Sequence, residues 1–167
     1  AQKVNPNIKT KIVWAFTWYD PGKEAEAAKA LIDQGADVIA QHTDSTAIVQ
    51  MAEKAGVYAF GQASDMDKFA PKAVLTSVEN NWGPYYVDRV KAVANGTWSQ
   101  KDTWHGIGDG MVVISDLDSQ MPGDLQAKVK KLQADLASGK VHSFTGPIYD
   151  QKGNLMVAEG KTADDGM

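Results

Sequence analysis

The sequence predicts an α/β fold: a parallel sheet whose strands are joined by crossover helices. Three observations predict it. Short apolar runs alternate with stretches of helical periodicity, the helical stretches end on glycine, and this strand–helix–Gly unit repeats along the first half of the chain. Parallel strands need a crossover of about a dozen residues or more, usually a helix, so this grammar selects a parallel sheet over hairpins.

Each element follows in order. Residues 11–16 (Lys-Ile-Val-Trp-Ala-Phe) are an apolar run and read as a buried strand, with Trp14 as a core residue. Asp20-Pro21-Gly22 turns the chain into a helix over about 22–34. Pro21 sits where a missing N–H costs little, Ala25, Ala28 and Ile32 share a face, and Gly35 ends the element. Residues 37–40 form the second strand. Ser45 or Thr46 caps a second helix, in which Ile48, Met51, Ala52 and Ala55 recur at i, i+3, i+4, i+7 before Gly56. Residues 57–60 and 74–78 are the third and fourth strands, and 82–95 form a helix with Tyr86, Val90, Val93 and Ala94 on one face.

Composition then shifts. Residues 97–110, rich in Gly, Trp and polar types, read as a connector, so the expected boundary falls near residue 100. Residues 1–100 form an α/β ligand-binding lobe. Residues 101–167 supply a hinge-crossing connector, a strand at 111–114, a helix opened by Pro122 and closed by Gly139, and an extended return or hairpin from Val141. In that helix Leu125, Val129, Leu132 and Leu136 line one face. Residues 1–10 read as a lead-in loop and 160–167 as a surface turn.

Charge and residue usage exclude several functions. The net charge of −4 gives no basic face for a phosphate backbone, so nucleic acid is not an expected partner. With no cysteine there is no disulfide framework, thiolate metal site or cysteine nucleophile. No apolar run approaches the ~20 residues of a membrane span. The first residues lack a signal-peptide pattern, so export would imply a processed or partial chain.

His42, His105 and His142 lack metal-ligand spacing, and neither a metal nor another cofactor is expected. Gly106-Ile107-Gly108-Asp109-Gly110 misses the phosphate-loop register and reads as a turn. Asn95-Gly96-Thr97 fits a glycosylation acceptor but reads as a helix end. His42 and Asp44 have no third partner, and no nucleophile motif is present, so no enzyme chemistry is expected.

In open parallel sheets ligands sit beyond the carboxyl ends of the strands. That rule selects Trp18, His42, Thr43, Asp65, Asn80 and Trp82 as candidate ligand-binding residues. Aromatic faces beside amides, hydroxyls and carboxylates suit a flat polar heterocycle: rings stack, and polar groups read the edge. Trp18 either stacks on a ligand or packs under a loop. Asp65 either accepts ligand N–H groups or is a turn aspartate beside Asp67. Trp82, just before a helix, fits either role.

Four runs carry a resemblance. Trp18-Tyr19-Asp20-Pro21-Gly22-Lys23-Glu24-Ala25, then Leu31 through Ile39, then Phe60-Gly61 through Asp65, then Ala70-Pro71-Lys72-Ala73-Val74-Leu75-Thr76-Ser77 resemble the basic membrane protein family of bacterial substrate-binding lipoproteins, a group that includes purine nucleoside receptors. The likeness covers roughly residues 10–160. It implies one lobe, the second plus hinge segment, of a type I periplasmic binding protein clamshell about twice this length, closing on its ligand between two lobes. It further implies a periplasmic protein, lipid-anchored or soluble after signal-peptide removal, that serves the membrane permease of an ABC importer.

The same resemblance places the stacking aromatic at Trp18. Asp65 matches the second Asp of the family's Gly-Val-Asp-x-Asp-Gln run, while the first Asp, a ribose contact, is Ala63 here. The family's lysine after the Thr-Ser pair falls at Asn80. Each lost hydrogen bond to a charged group weakens a hydroxyl-bearing ligand by roughly 1.5–3 kcal/mol. The expected ligand is therefore a purine as the free base, adenine, with a nucleoside as the alternative. A ligand-sensing domain of a transcriptional regulator, on the same clamshell, is the alternative from another class.

Overall fold

The structure, a computed structural model, describes residues 4–164. The lead-in reading of Ala1–Lys3 and the end of the tail turn, Asp165–Met167, lie outside the described residues. Two compact units emerge: one runs up to Asn80 and takes back Val113–Met121, and the other comprises Asn81–Val112 and the chain from Pro122 onward.

The first unit is built on a sheet of β1 (Val38–Ala40), β2 (Tyr58–Ala63), β3 (Val74–Asn80) and β4 (Val112–Ile114), in that spatial order. β1, β2 and β3 are parallel, with Ile39 opposite Ala59 and Gly61 opposite Ser77. Helices α1 (Pro21–Ile32) and α2 (Ala47–Ala55) pack against each other. The chain after β4 runs against β3: the Ser115 N–H donates to the Ser77 carbonyl and the Asp118 N–H to that of Leu75. The α/β reading with parallel strands and crossover helices thus holds. α2 ends on Gly56 at φ 73, the left-handed conformation for which glycine has no steric cost.

The core follows the expected faces. Val49, Ala52, Ala59, Met66, Ala70, Ala73 and Val74 form one buried cluster, and Ala28, Ile39 and Ile48 a second. Small residues dominate, so helix and sheet approach closely. Gly61 shows the tightest case: a Cβ there would lie 2.1 Å from Ser77 Oγ and 3.0 Å from Met66 Cβ.

One expected strand is absent. Residues 11–16 form no ladder, and Ile12, Val13, Trp14 and Phe16 are exposed. Trp14, expected in the core, is 73% exposed. The physical reason is twofold. An extended segment needs a partner for its N–H and C=O groups, and among the described residues no strand pairs with this one. Phe16 also has φ 51, outside the extended region.

The second unit holds α3 (Trp82–Ala94), α4 (Gly123–Ala137) and a hairpin of β5 (Ile148–Tyr149) with β6 (Leu155–Val157). The return from Val141 is therefore the hairpin alternative. Asp150 closes its turn: Oδ1 accepts the N–H groups of Lys152 and Asn154, each at 2.8 Å. The Asn154 side-chain amide also donates to Oδ2 at 2.8 Å, and this hydrogen bond first, then the backbone ones, holds the Asp150 carboxyl below its ordinary pKa. Neither α3 nor α4 buries a residue. Among the described residues no helix is long and apolar enough to cross a membrane.

Candidate functional site

The site is built at the carboxyl ends of the parallel strands of the first unit. There the chain entering α1 and the loop leaving β1 are tied together. The Asp44 N–H donates to the Trp18 carbonyl at 2.9 Å. The Trp18 and His42 rings meet edge to face, with centroids 6.0 Å apart. Both side chains are exposed, Trp18 at 69%. A broad indole face beside an imidazole is what a planar ring would stack on.

Local sequence explains why the two segments meet. Asp20 caps α1, its Oδ1 accepting the Lys23 N–H at 3.1 Å, and Pro21 occupies the first helical position. Glu24, one turn in, reaches back to the Asp20 N–H with Oε1 at 2.8 Å. Its Oε2 accepts the hydroxyls of Thr43 at 2.7 Å and Ser45 at 2.6 Å. Glu24 is fully buried. Burial pushes its pKa up, but the hydrogen bonds from Ser45, Asp20 and Thr43 outweigh that and leave it below the ordinary value, so the group stays charged. Gln41 braces the same loop, its Nε2 donating to the carbonyls of Thr43 at 2.9 Å and Ser45 at 3.0 Å. Its Oε1 is buried and accepts no hydrogen bond among the described residues.

The expected residues separate into groups. Trp18 and His42 are in contact, and Thr43 sits beside them with its proton committed to Glu24 and its lone pairs free to accept. Asp65 and Asn80 follow strands that run parallel to β1, with Ala63 opposite Glu79, so both leave the sheet at its carboxyl edge. Asp65 then turns back, because the Met66 N–H donates to Ser77 Oγ and Asp65 Oδ1 accepts the Asp67 N–H. That is the turn-aspartate alternative. Its residue lines a groove of about 340 Å³ with Asp67, Ser115, Asp116, Asp118 and Gln120. Among the described residues no cluster of His, Asp or Glu is arranged to hold a metal. Trp82 belongs to the second unit, where its ring stacks on Tyr86 at 5.8 Å and meets Tyr85 edge-on at 5.9 Å.

Sequence reasoning passed over Glu24 and gave Ser45 only the role of a helix cap. A signal was present: Glu24 lies four residues before Ala28 and eight before Ile32, on the stripe that faces inward. A carboxylate on a core-facing stripe requires hydrogen-bond partners.

Comparison with known proteins decides the family. Residues 1–151 match the family model Bmp, described as ABC transporter substrate-binding protein PnrA-like. This chain belongs to the Bmp family. Its members are solute-binding proteins, not enzymes. The chain is 51% identical over 165 residues to a purine-binding protein of Brucella abortus, covering 99% of this chain and 47% of that protein. A solved ABC transporter solute-binding protein from Conexibacter woesei matches with a TM-score of 0.65 and 26% identity over 84% of this chain and 48% of that one. A transcriptional activator of Bacillus halodurans, at 19% identity over 77% of this chain and 46% of that one, shares the fold with a TM-score of 0.70. This Bmp chain spans about half the length of the relatives it matches.

Proposed function

We propose that this Bmp chain supplies one lobe of a periplasmic receptor that captures a purine, the free base adenine, and presents it to the membrane permease of an ABC importer. In this reading residues 1–100 are the ligand-binding lobe and 101–167 the hinge-crossing and return segment, and the receptor is either lipid-anchored or soluble in the periplasm. The observation that carries the reading is the exposed Trp18 ring set beside His42 at the carboxyl edge of a parallel sheet. The purine stacks on Trp18, while Thr43, Asp65 and Asn80 supply polar contacts around its rim. The purine-binding relative at 51% identity supports the ligand class.

The choice of base over nucleoside rests on what is missing. Ala63 stands where the family has an aspartate that resembles a ribose contact, and Asn80 stands where it has a lysine. Calorimetric titration of the intact protein with adenine and with adenosine tests the proposal. Adenine is expected to bind more tightly, and tighter adenosine binding overturns that choice. Replacement of Ala63 by Asp should raise adenosine affinity by roughly 1.5–3 kcal/mol, the range of a hydrogen bond to a charged group, with adenine affinity changing less. Heat from neither ligand would remove the purine reading itself.

A further inference from the structure

We infer that Glu24 is a positioning residue for the ligand edge: its buried carboxylate holds the Trp18–Asp20 segment and the His42–Ser45 loop in one arrangement, and so sets where Trp18 and His42 stand. This rests on the receptor reading above and names a residue outside the edge that the edge depends on. The geometry is specific. One oxygen takes the Asp20 N–H at 2.8 Å, and the other takes Thr43 Oγ1 at 2.7 Å and Ser45 Oγ at 2.6 Å. The carboxylate thereby bridges two segments about twenty residues apart in sequence, each leading to an exposed aromatic of the site. Between them lies one backbone link, Asp44 N–H to Trp18 carbonyl at 2.9 Å.

The network is short of alternatives. Glu24 is fully buried, so water cannot replace a lost partner without a shift of the loop. Among the described residues no cationic side chain pairs with Glu24, and its charge is held by hydrogen-bond donors, chiefly the Ser45 hydroxyl, the Asp20 N–H and the Thr43 hydroxyl. Thr43 and Ser45 are held on their carbonyl sides by Gln41, which leaves their hydroxyls as the adjustable contacts. An amide in place of the carboxylate keeps the shape but brings an NH2 group toward donors. The three hydrogen bonds then cannot all survive in the same geometry.

The test combines affinity with a ligand-free probe of the loop. In the intact protein, Glu24→Gln should weaken adenine binding by roughly tenfold and speed hydrogen exchange at the Asp44 amide. Ser45→Ala, which removes a donor that is not among the proposed ligand contacts, should do the same to a lesser degree, and should add little in the Glu24→Gln background, because both changes act through one carboxylate. Glu24→Asp, which restores the charge on a shorter arm, should recover part of the affinity. Unchanged affinity and unchanged Asp44 exchange in Glu24→Gln, at temperatures well below melting, would assign Glu24 to stability alone and overturn the inference. If the wild-type protein binds no purine, the receptor reading fails, and Asp44 exchange still decides the positioning claim. Should Glu24→Gln not fold, Thr43→Val and Ser45→Ala each remove one donor and are read by the same exchange.

Discussion

Helices α2 and α4 carry the same kind of apolar stripe and end differently. In α2, Ile48, Val49 and Ala52 are buried against a parallel sheet. In α4, Leu125 and Leu132 remain 42% and 50% exposed, and the helix buries no residue. α3 behaves like α4, with Tyr86, Val90 and Val93 exposed. The difference teaches that periodicity identifies which face of a helix is apolar but not what covers it. A helix gains most of its stability from the covering, not from its own propensity.

The largest expected effect breaks the comparison at its buried end. Ile39, 3% exposed on β1, fills the cluster under Ala28 and Ile48. Ile39→Ala should destabilise by about 2–5 kcal/mol, the range for a large-to-small change in a packed core, measured by urea unfolding of the intact protein. A loss near zero would mean that this cluster is not a core. Gly61→Ala comes next. Its new Cβ overlaps Ser77, 2.1 Å from Oγ, and presses on Met66 Cβ at 3.0 Å, and overpacking of this kind costs about 1–3 kcal/mol. The paired change Gly61→Ala with Ser77→Ala should recover part of the loss, and strict additivity would remove the steric explanation.

Smaller in size, and opposite in sign, is a substitution at Ala63. This residue has φ 64, a left-handed conformation that costs an L-residue roughly 1–2 kcal/mol and glycine much less. Ala63→Gly should therefore raise stability by about 1 kcal/mol or less once the added chain entropy of glycine is counted. A fall in melting temperature would place the strain elsewhere.

Acid adds a signature without a core substitution. The Glu24 pKa is lowered on folding from its ordinary value of 4.5. Its contribution is therefore present above the unfolded-state pKa and is lost as pH falls through the lower folded-state value. Melting scans from neutral to acid pH should show this loss in the wild type. The same scans should be flatter in Glu24→Gln, and identical acid slopes would exclude Glu24 as their source.

These contrasts also show what could be read from residues alone. The β1–α2 unit was legible to within a residue or two, because Ile48, Met51, Ala52 and the closing Gly56 report their own environment locally, while β2 runs three residues beyond the expected 57–60. His42 was placed by the rule that ligands lie beyond the carboxyl ends of parallel strands, since it follows β1, whereas Trp18 was reached through a first strand that does not form. The run at 11–16 was misread for a physical reason: apolar composition gives a propensity to be extended, but a strand exists only where a neighbour completes its hydrogen bonds. The role of Glu24, though not its place on the inward stripe, was hidden for the complementary reason. That role depends on Thr43 and Ser45, whose approach to α1 is set by packing between helices and not by spacing in the chain. Asp65 illustrates a tie that sequence leaves open, since the residue types that read a ligand edge are the same ones that close turns.

The smallest expected effect tests the exposed end of the comparison, and a near-zero value is informative there. Leu132 lies at the centre of the α4 stripe and is half exposed. Truncating a surface side chain away from special features usually changes stability by no more than about 0.5 kcal/mol. Leu132→Ala also gains slightly in helix propensity, which opposes the small loss of buried area. The two terms should leave its unfolding midpoint within error of the wild type. Read beside Ile39→Ala on the same instrument, this pair gives the contrast between α4 and the sheet core directly. A Leu132→Ala loss approaching that of Ile39→Ala would mean that the α4 stripe is covered in solution, and the assignment of α4 as an exposed helix would have to be withdrawn.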